Sequence, residues 1–163
     1  MSDVFSHDLD DNLDPQDTIA RDRLSLDPVK ASLIDAGFYA YGMIDDTNRW
    51  TIAVDDELGR VDVHVGDDGL DILMTVSSPG LFADEESDWR RASKARLARI
   101  QVGRISRGLD PHQRAFWDDV DEGIAVSERY QLPFTRSGDV GAFVREQLPQ
   151  IEELLERIER QLD

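Results

Sequence analysis

The spacing of apolar residues changes period several times along this chain, and the order of those changes restricts the fold more than any single motif does. Apolar residues recur at helical spacing in residues 28–36, alternate in residues 50–76 and return to helical spacing in residues 89–106. They alternate again in residues 115–130 and are helical from Val140 onward. A period near 3.6 is typical of a helix and a period of two is typical of a strand. We therefore predict an α+β domain with the order helix, three strands, long helix, two strands, long helix, with the helices packed on the sheet.

The alternating segments predict two antiparallel units. Three runs place an apolar side chain at every second position, namely residues 50–55, 60–65 and 71–76. Turns rich in Asp and Gly at 56–59 and 66–69 separate the runs. This pattern predicts a three-stranded meander with one face in the core. Residues 115–130 form a second pair of runs around an acidic turn, which predicts a hairpin.

Capping residues indicate where the helices begin and end. Asp27 and Pro28 predict the start of the first helix, and Gly37 its end. Gly108 ends the second helix, and Asp139 begins the third. The third helix has an apolar stripe that fits packing against the sheet.

The first 24 residues have a composition unlike the rest of the chain. They contain seven Asp residues and few large apolar side chains. A segment of this kind buries too little apolar surface to offset the entropy lost on ordering. We therefore expect residues 1–24 to be a flexible acidic tail and residues 25–163 to be a single domain.

The chain also has features that indicate its compartment. It contains no Cys, so it has neither disulfides nor thiolate metal ligands. Its N-terminus is acidic and lacks the basic start and apolar run of a secretory signal. No apolar stretch approaches the roughly 18 residues of a membrane span. We expect a cytoplasmic protein without a membrane partner.

Charge is distributed unevenly along the sequence. The formal net charge is −17. Residues 89–107 nevertheless contain seven basic residues and no acidic one, while the rest of the chain contains 11 basic and 35 acidic residues. The average surface would repel nucleic acid. The basic segment has one aromatic residue, Trp89, which is fewer than a nucleic-acid patch with interleaved aromatics would have.

Residues that would carry catalysis or bind a cofactor are not arranged in recognisable motifs. The three histidines, His7, His64 and His112, are not at metal-ligand spacing to one another. The sequence has no nucleophile elbow, phosphate-binding loop or dinucleotide fingerprint. We therefore predict no enzymatic activity and no cofactor. One alternative stays open, which is a small enzyme that uses paired carboxylates on the open sheet face.

The predicted second helix has apolar residues on more than one side. Val102 lies away from the line through Leu97 and Ile100. This distribution predicts two contact faces, one for the sheet and one for another molecule.

The order of elements resembles that of the YbjN family, which shares its fold with type III secretion chaperones. The resemblance lies in Val29, Leu33 and the Ala36-Gly37-Phe38 segment before residues 50–54, and in the Tyr130-Gln131-Leu132-Pro133 segment that ends the hairpin. It covers about residues 27–162. It implies a homodimer without enzymatic activity that holds extended segments of partner proteins. In such chaperones the dimer forms through the helix that corresponds to residues 89–107, here together with the 115–130 hairpin.

We therefore expect the protein to be a chaperone-like adaptor or regulatory protein, as the first functional hypothesis. Its candidate dimer or partner surface consists of eight residues, Trp89, Arg96, Leu97, Arg99, Ile100, Val102, Ile105 and Trp117. The acidic exterior would favour a protein partner that is basic or that itself binds nucleic acid. Direct nucleic-acid binding through residues 89–107 is the weaker alternative, beside the carboxylate enzyme.

Overall fold

The computed structural model describes residues 14–162 of the protein. Its elements, in chain order, are α1 Pro15–Asp35, β1 Ala40–Ile44, β2 Trp50–Asp55, β3 Arg60–Val65, β4 Leu70–Ser78, α2 Asp88–Arg107, β5 Gln113–Asp118, β6 Gly123–Leu132, a 3-10 helix Phe134–Asp139 and α3 Val140–Gln161. The predicted α+β class is confirmed, and so is the order of the helices relative to the meander and the hairpin. None of the helices in this part of the chain has the length and apolarity needed to cross a bilayer.

The strands form one antiparallel sheet in the order β1-β2-β3-β4-β6-β5. The meander and the hairpin join along β4 and β6, where Leu70 pairs with Leu132 and Ser78 pairs with Ile124. The sheet has six strands, one more than predicted, because β1 adds to the outer side of β2. The sequence pattern missed β1 because two of its core-facing positions, Ala40 and Gly42, have side chains too small to register as an apolar period.

The glycine in β1 is required by a contact between strands. A Cβ atom at Gly42 would overlap the indole of Trp50, the first residue of β2. Trp50 therefore lies over the backbone of β1, and this contact joins the edge strand to the rest of the core. The indole nitrogen of Trp50 is buried and has no hydrogen-bond partner within residues 14–162.

The first helix begins earlier than its caps at Asp27 and Pro28 predicted. Asp14 caps the helix by accepting a hydrogen bond from the Gln16 N–H at 3.3 Å. Pro15 occupies the first turn. An Asp-Pro pair thus supplies the same signals earlier in the chain, and Pro28 lies inside the helix. Residues 15–24 of the predicted tail are helical, and residues 1–13 lie outside the described part.

The core lies between one face of the sheet and the helices α1 and α3. Val29 and Leu33 of α1 and Leu148 of α3 are fully or almost fully buried against that face. Ser32 joins the two helices, since its hydroxyl donates to the Gly138 carbonyl and accepts from the Gly141 N–H, both at 2.8 Å. α2 lies elsewhere, against β5 at one edge of the sheet.

Candidate interaction surfaces

The helix α2 has two faces of opposite character. Ala98 and Val102 are buried, and Ile105 packs against the core. These residues are spaced by four and three positions, so they share the side of α2 that faces β5. Val102 has no exposed area at all, so its assignment to a dimer or partner surface is wrong. It belongs to the core of the protomer, and half-buried Ile105 lies beside it on the same side of the helix.

The outward face of α2 carries large apolar side chains. Trp89 is 76% exposed, Leu97 47% and Ile100 55%. Arg96 is exposed on the same side of the helix. This outward face is exposed, and it is both apolar and basic.

The basic side chains of α2 differ in how they are neutralised. Three of them pair with acids outside or at the start of the helix, namely Arg91 with Asp88, Lys94 with Glu85 and Arg99 with Asp119. Four others form no ion pair within residues 14–162: Arg90, Arg96, Arg104 and Arg107. The hydrogen bond from Lys94 lowers the pKa of Glu85. The surface of α2 is therefore positive in a protein whose net charge is strongly negative.

A groove of about 390 Å³ runs between α2 and the outer edge of β5. It is lined by basic and aromatic side chains around one glycine, namely Arg99, Gly103, Arg107, Arg114, Phe116 and Trp117. Nothing lies within 4 Å of the position that a Cβ of Gly103 would take, so this glycine leaves the groove open. We call the groove and the outward face of α2 together the α2–β5 surface.

The walls of the groove are held in place by contacts within the protomer. The guanidinium of Arg114 lies 5.0 Å from the centre of the Phe116 ring. Trp117 stacks on Phe82 with ring centres 5.8 Å apart, and this contact holds the Trp117 side chain in position in the groove wall. The structure thus brings Arg99 and Trp117, which the sequence analysis proposed as surface residues, to one groove.

Four groove residues were missed by the sequence analysis as functional candidates. Arg107 was counted only as part of a basic run, and Gly103 was not considered. Arg114 and Phe116 belong to β5 and meet α2 only in the folded protein. A glycine in the middle of an otherwise well-patterned helix was the signal available, since such a glycine usually marks a close approach or an open site.

A second cluster of polar residues lies where β1 turns into β2. One carboxylate oxygen of Asp45 accepts hydrogen bonds from the Thr47 N–H, the Thr47 hydroxyl and the Arg49 N–H, at 2.9, 2.7 and 3.0 Å. The other lies 2.8 Å from Nε2 of His64 on β3. Partial burial raises the pKa of Asp45, but these hydrogen bonds outweigh it, and the pKa lies well below its ordinary value. The cluster therefore fastens the β1–β2 turn to the sheet.

Three carboxylates of the described chain, Asp45, Glu85 and Asp55, have a pKa below the ordinary value. The carboxylate enzyme requires a carboxyl group whose pKa is raised by burial. Besides Asp45 and Glu85, Asp55 has a lowered pKa, because Tyr41 and Arg60 donate hydrogen bonds to its carboxylate. The polar cleft lined by His112, Arg114 and Arg129 has a volume of about 340 Å³. Within residues 14–162, no three His, Asp or Glu side chains group closely enough to hold a metal.

Comparison with known proteins adds little to this picture. No family model matches the chain and no curated protein matches it. Among solved structures, the chain is similar to an uncharacterized protein from Methanothermobacter thermautotrophicus, with 19% identity and a TM-score of 0.38 over 82% of this chain and 99% of that chain. A similarity this weak carries no argument about fold or function.

Proposed function

We propose that the protein is a non-enzymatic, homodimeric, chaperone-like adaptor that binds a segment of another protein on the α2–β5 surface. The observation that carries the proposal is the exposure of Trp89, Leu97 and Ile100 on one side of a helix whose other side is buried. Large apolar side chains that are exposed on one side of a helix are typical of a surface that accepts a partner segment.

The charge of the α2–β5 surface defines the chemistry of the partner segment. Arg96, Arg104 and Arg107 have no acidic neighbour at salt-bridge distance among residues 14–162, and Arg114 lies on the groove wall. A basic segment would be repelled there, whereas an acidic segment with apolar side chains would match both properties. The overall negative charge favours a basic partner, as the sequence analysis expected, but the local charge at the uncovered apolar surface favours an acidic one.

The same charge argues against a symmetric seam between two α2 helices. A twofold axis would place the same patch of each copy against the other. The outward Arg side chains of the two helices would then face one another, and like charges in contact are unfavourable. We therefore assign the α2–β5 surface to the partner protein and place the dimer seam elsewhere.

The groove offers a matched pair of variants at Gly103. Gly103→Glu and Gly103→Lys add side chains of similar size to an open helical position, and both should raise helix propensity. The glutamate opposes an acidic ligand, while the lysine attracts it. We expect short random peptides selected on the wild-type protein to be acidic and to contain Leu, Phe or Trp. Their affinity should fall roughly tenfold in Gly103→Glu, a loss of about 1.4 kcal/mol, and persist in Gly103→Lys.

Three results would count against this assignment. Selection could yield no acidic peptide, the two Gly103 variants could bind equally, or affinity could be insensitive to salt. An additional control, Val120→Glu, places the same charge in the exposed turn between β5 and β6, where Val120 is 90% exposed. That variant should bind like the wild type.

Direct nucleic-acid binding is the second candidate, because Trp89 lies on one side of α2 with Arg side chains that form no ion pair within the described residues. Such a binder would lose affinity steeply as salt rises. Fluorescence anisotropy with single-stranded and duplex DNA separates the candidates. If the protein binds DNA and the selected peptides do not displace that DNA, the second candidate is favoured over the first.

A further inference from the structure

The outer edge of β1 carries backbone groups that pair with nothing in the part of the chain that the structure describes. The Asp45 N–H donates to the Arg49 carbonyl at 2.9 Å, and this bond sets the alternation of hydrogen bonds along β1 and β2. Tyr41 and Met43 consequently turn their N–H and C=O groups toward β2. The groups that point away from the sheet belong to Ala40, Gly42 and Ile44. No hydrogen bond within residues 14–162 uses them.

This edge has no side chain that would block the addition of another strand. Natural edge strands often carry a charged residue or a proline that prevents pairing with a second chain. β1 has the sequence Ala-Tyr-Gly-Met-Ile and contains neither. Tyr39 is 79% exposed and Ile44 50% exposed at its two ends. An open, uncharged and partly apolar edge is a template for strand addition.

The spacing of the free groups suits a second copy of the same strand. In an antiparallel pair centred on Gly42, Ala40 of one copy lies opposite Ile44 of the other, and Gly42 lies opposite itself. All three outward-facing residues then fall at hydrogen-bonded positions, which permits about six backbone hydrogen bonds. Tyr41 lies across from Met43 of the second copy on the opposite face of the sheet, where an aromatic side chain packs well against an aliphatic one.

We propose that β1 pairs with β1 of a second copy around a twofold axis, joining the two six-stranded sheets into one. This inference rests on the homodimer in the proposed function and identifies its seam. The pairing is isologous, as a closed dimer requires. It leaves the α2–β5 surface of each copy at the far edge of the joined sheet, free for the partner protein.

The helices beside the seam fit this arrangement. α1 packs on β1, β2 and β3, so its axis lies above about β2. With strands about 4.8 Å apart, the two α1 axes are roughly 14 Å apart, compared with 8–10 Å for directly packed helices. Long side chains fill a gap of that size. The flank of α1 on which Arg23 lies over Trp50 also carries Asp27, Lys30 and Ile34. The charged side chains on this flank are therefore of both signs.

The inference is tested by the mass of the protein in solution and by hydrogen exchange. Light scattering should give twice the chain mass of 18.5 kDa for the wild type. The amides of Ala40, Gly42 and Ile44 should exchange slowly at high protein concentration and rapidly on dilution. The amides of Tyr41 and Met43 should stay protected at both concentrations, because β2 holds them. Alternating protection that depends on concentration is the signature of an added strand.

The variant Tyr39→Lys/Ile44→Lys places charges at both ends of β1 and should be a monomer. A thermal melt by circular dichroism shows whether it remains folded, and both side chains are at least half exposed, so we expect a melt close to that of the wild type. The matched control Val120→Lys should remain a dimer. Peptide binding on the α2–β5 surface should survive in all of these proteins.

Each contrary result has a distinct meaning. A wild-type protein that is monomeric at every concentration, or a folded Tyr39→Lys/Ile44→Lys variant that is still a dimer, overturns the seam. A dimer lost in Ile100→Lys but kept in Tyr39→Lys/Ile44→Lys places the seam on α2 instead. If the wild-type protein is a dimer but binds no peptide, the adaptor function is contradicted and the β1–β1 seam is not.

Discussion

The two edge strands of the sheet differ in whether their outward backbone groups have hydrogen-bond partners. At the β5 edge, α2 lies alongside the strand, and the Ser106 hydroxyl accepts the outward-pointing Ala115 N–H at 3.0 Å. At the β1 edge, the equivalent groups of Ala40, Gly42 and Ile44 have no partner within the described chain. Among residues 14–162, the β5 edge is therefore closed by the chain's own residues and the β1 edge is open. The helix that closes the β5 edge presents a basic, apolar face outward.

The two edges of the sheet suit two different kinds of contact. A second copy and a partner protein would compete if they used one surface. Here the uncharged edge at β1 suits a second copy, and the charged groove at β5 suits an unlike partner. The distance across the sheet separates the two contacts.

The largest effect is expected from breaking the closure of the β5 edge. Val102→Asp would bury an unpaired charge between α2 and β5, which should lower the free energy of unfolding by more than about 3 kcal/mol or release α2 altogether. Ile100→Asp introduces the same side chain two residues earlier on the outward face. We expect it to alter the free energy of unfolding by no more than about 0.5 kcal/mol. Urea unfolding of the two variants makes the measurement.

Equal destabilisation by the two substitutions would mean that α2 does not have one buried and one open side. Ile100→Asp provides a second readout, because it introduces an acid next to the groove. It should weaken binding of acidic peptides while leaving the unfolding midpoint near that of the wild type.

The sequence predicted the elements whose side chains alternate over at least three apolar positions, as in residues 60–65. It failed at β1, because Gly42 is small only to accommodate Trp50, and that contact joins residues on different strands. The start of α1 was predicted at Pro28 instead of Pro15, because Asp14-Pro15 and Asp27-Pro28 give identical capping signals. Only the burial of Asp22 and Leu26 against the fold distinguishes the two starts.

For the candidate site, the sequence predicted that α2 has two faces but not which of them is buried. Val102, Leu97 and Ile100 have similar hydrophobicity. What differs is the neighbour, since Ala98 lies one turn from Val102 and is small enough to let α2 approach β5 closely. The groove itself combines residues of α2 and β5, and no spacing within one segment could reveal it.

A smaller effect is expected from loosening the open edge at β1. Asp45→Ala removes the acceptor of three hydrogen bonds in the β1–β2 turn and the partner of His64. We expect a loss of about 2 kcal/mol in the free energy of unfolding near neutral pH. The homodimer should weaken as well, because β1 would fray. Asp45→Asn keeps the acceptor oxygen and should cost less.

The effect of Asp45→Ala should depend on pH in a defined direction. The pKa of Asp45 is lower in the folded protein than its ordinary value of 3.8, so folding favours the carboxylate. Its stabilisation is therefore fully present above that value and is lost as the pH falls below it. The difference in stability between wild type and Asp45→Ala should shrink between pH 4 and pH 3, measured by urea unfolding. A difference that grew on acidification would contradict the assignment.

The smallest and most local effect tests the closure of the β5 edge at a single hydrogen bond. Ser106→Ala leaves the outward Ala115 N–H without its acceptor, and so makes that position resemble the open edge at β1. A buried donor without a partner costs about 1–3 kcal/mol, and a value near 1 is expected here because water can enter from the groove. The amide of Ala115 should exchange faster, while the amides of the β5–β6 ladder should keep their protection. Ser93→Ala, at an exposed position of α2, should change neither quantity. If Ala115 exchanged at the same rate in both variants, the helix alone would be closing the edge and the Ser106 hydroxyl would have no part in it.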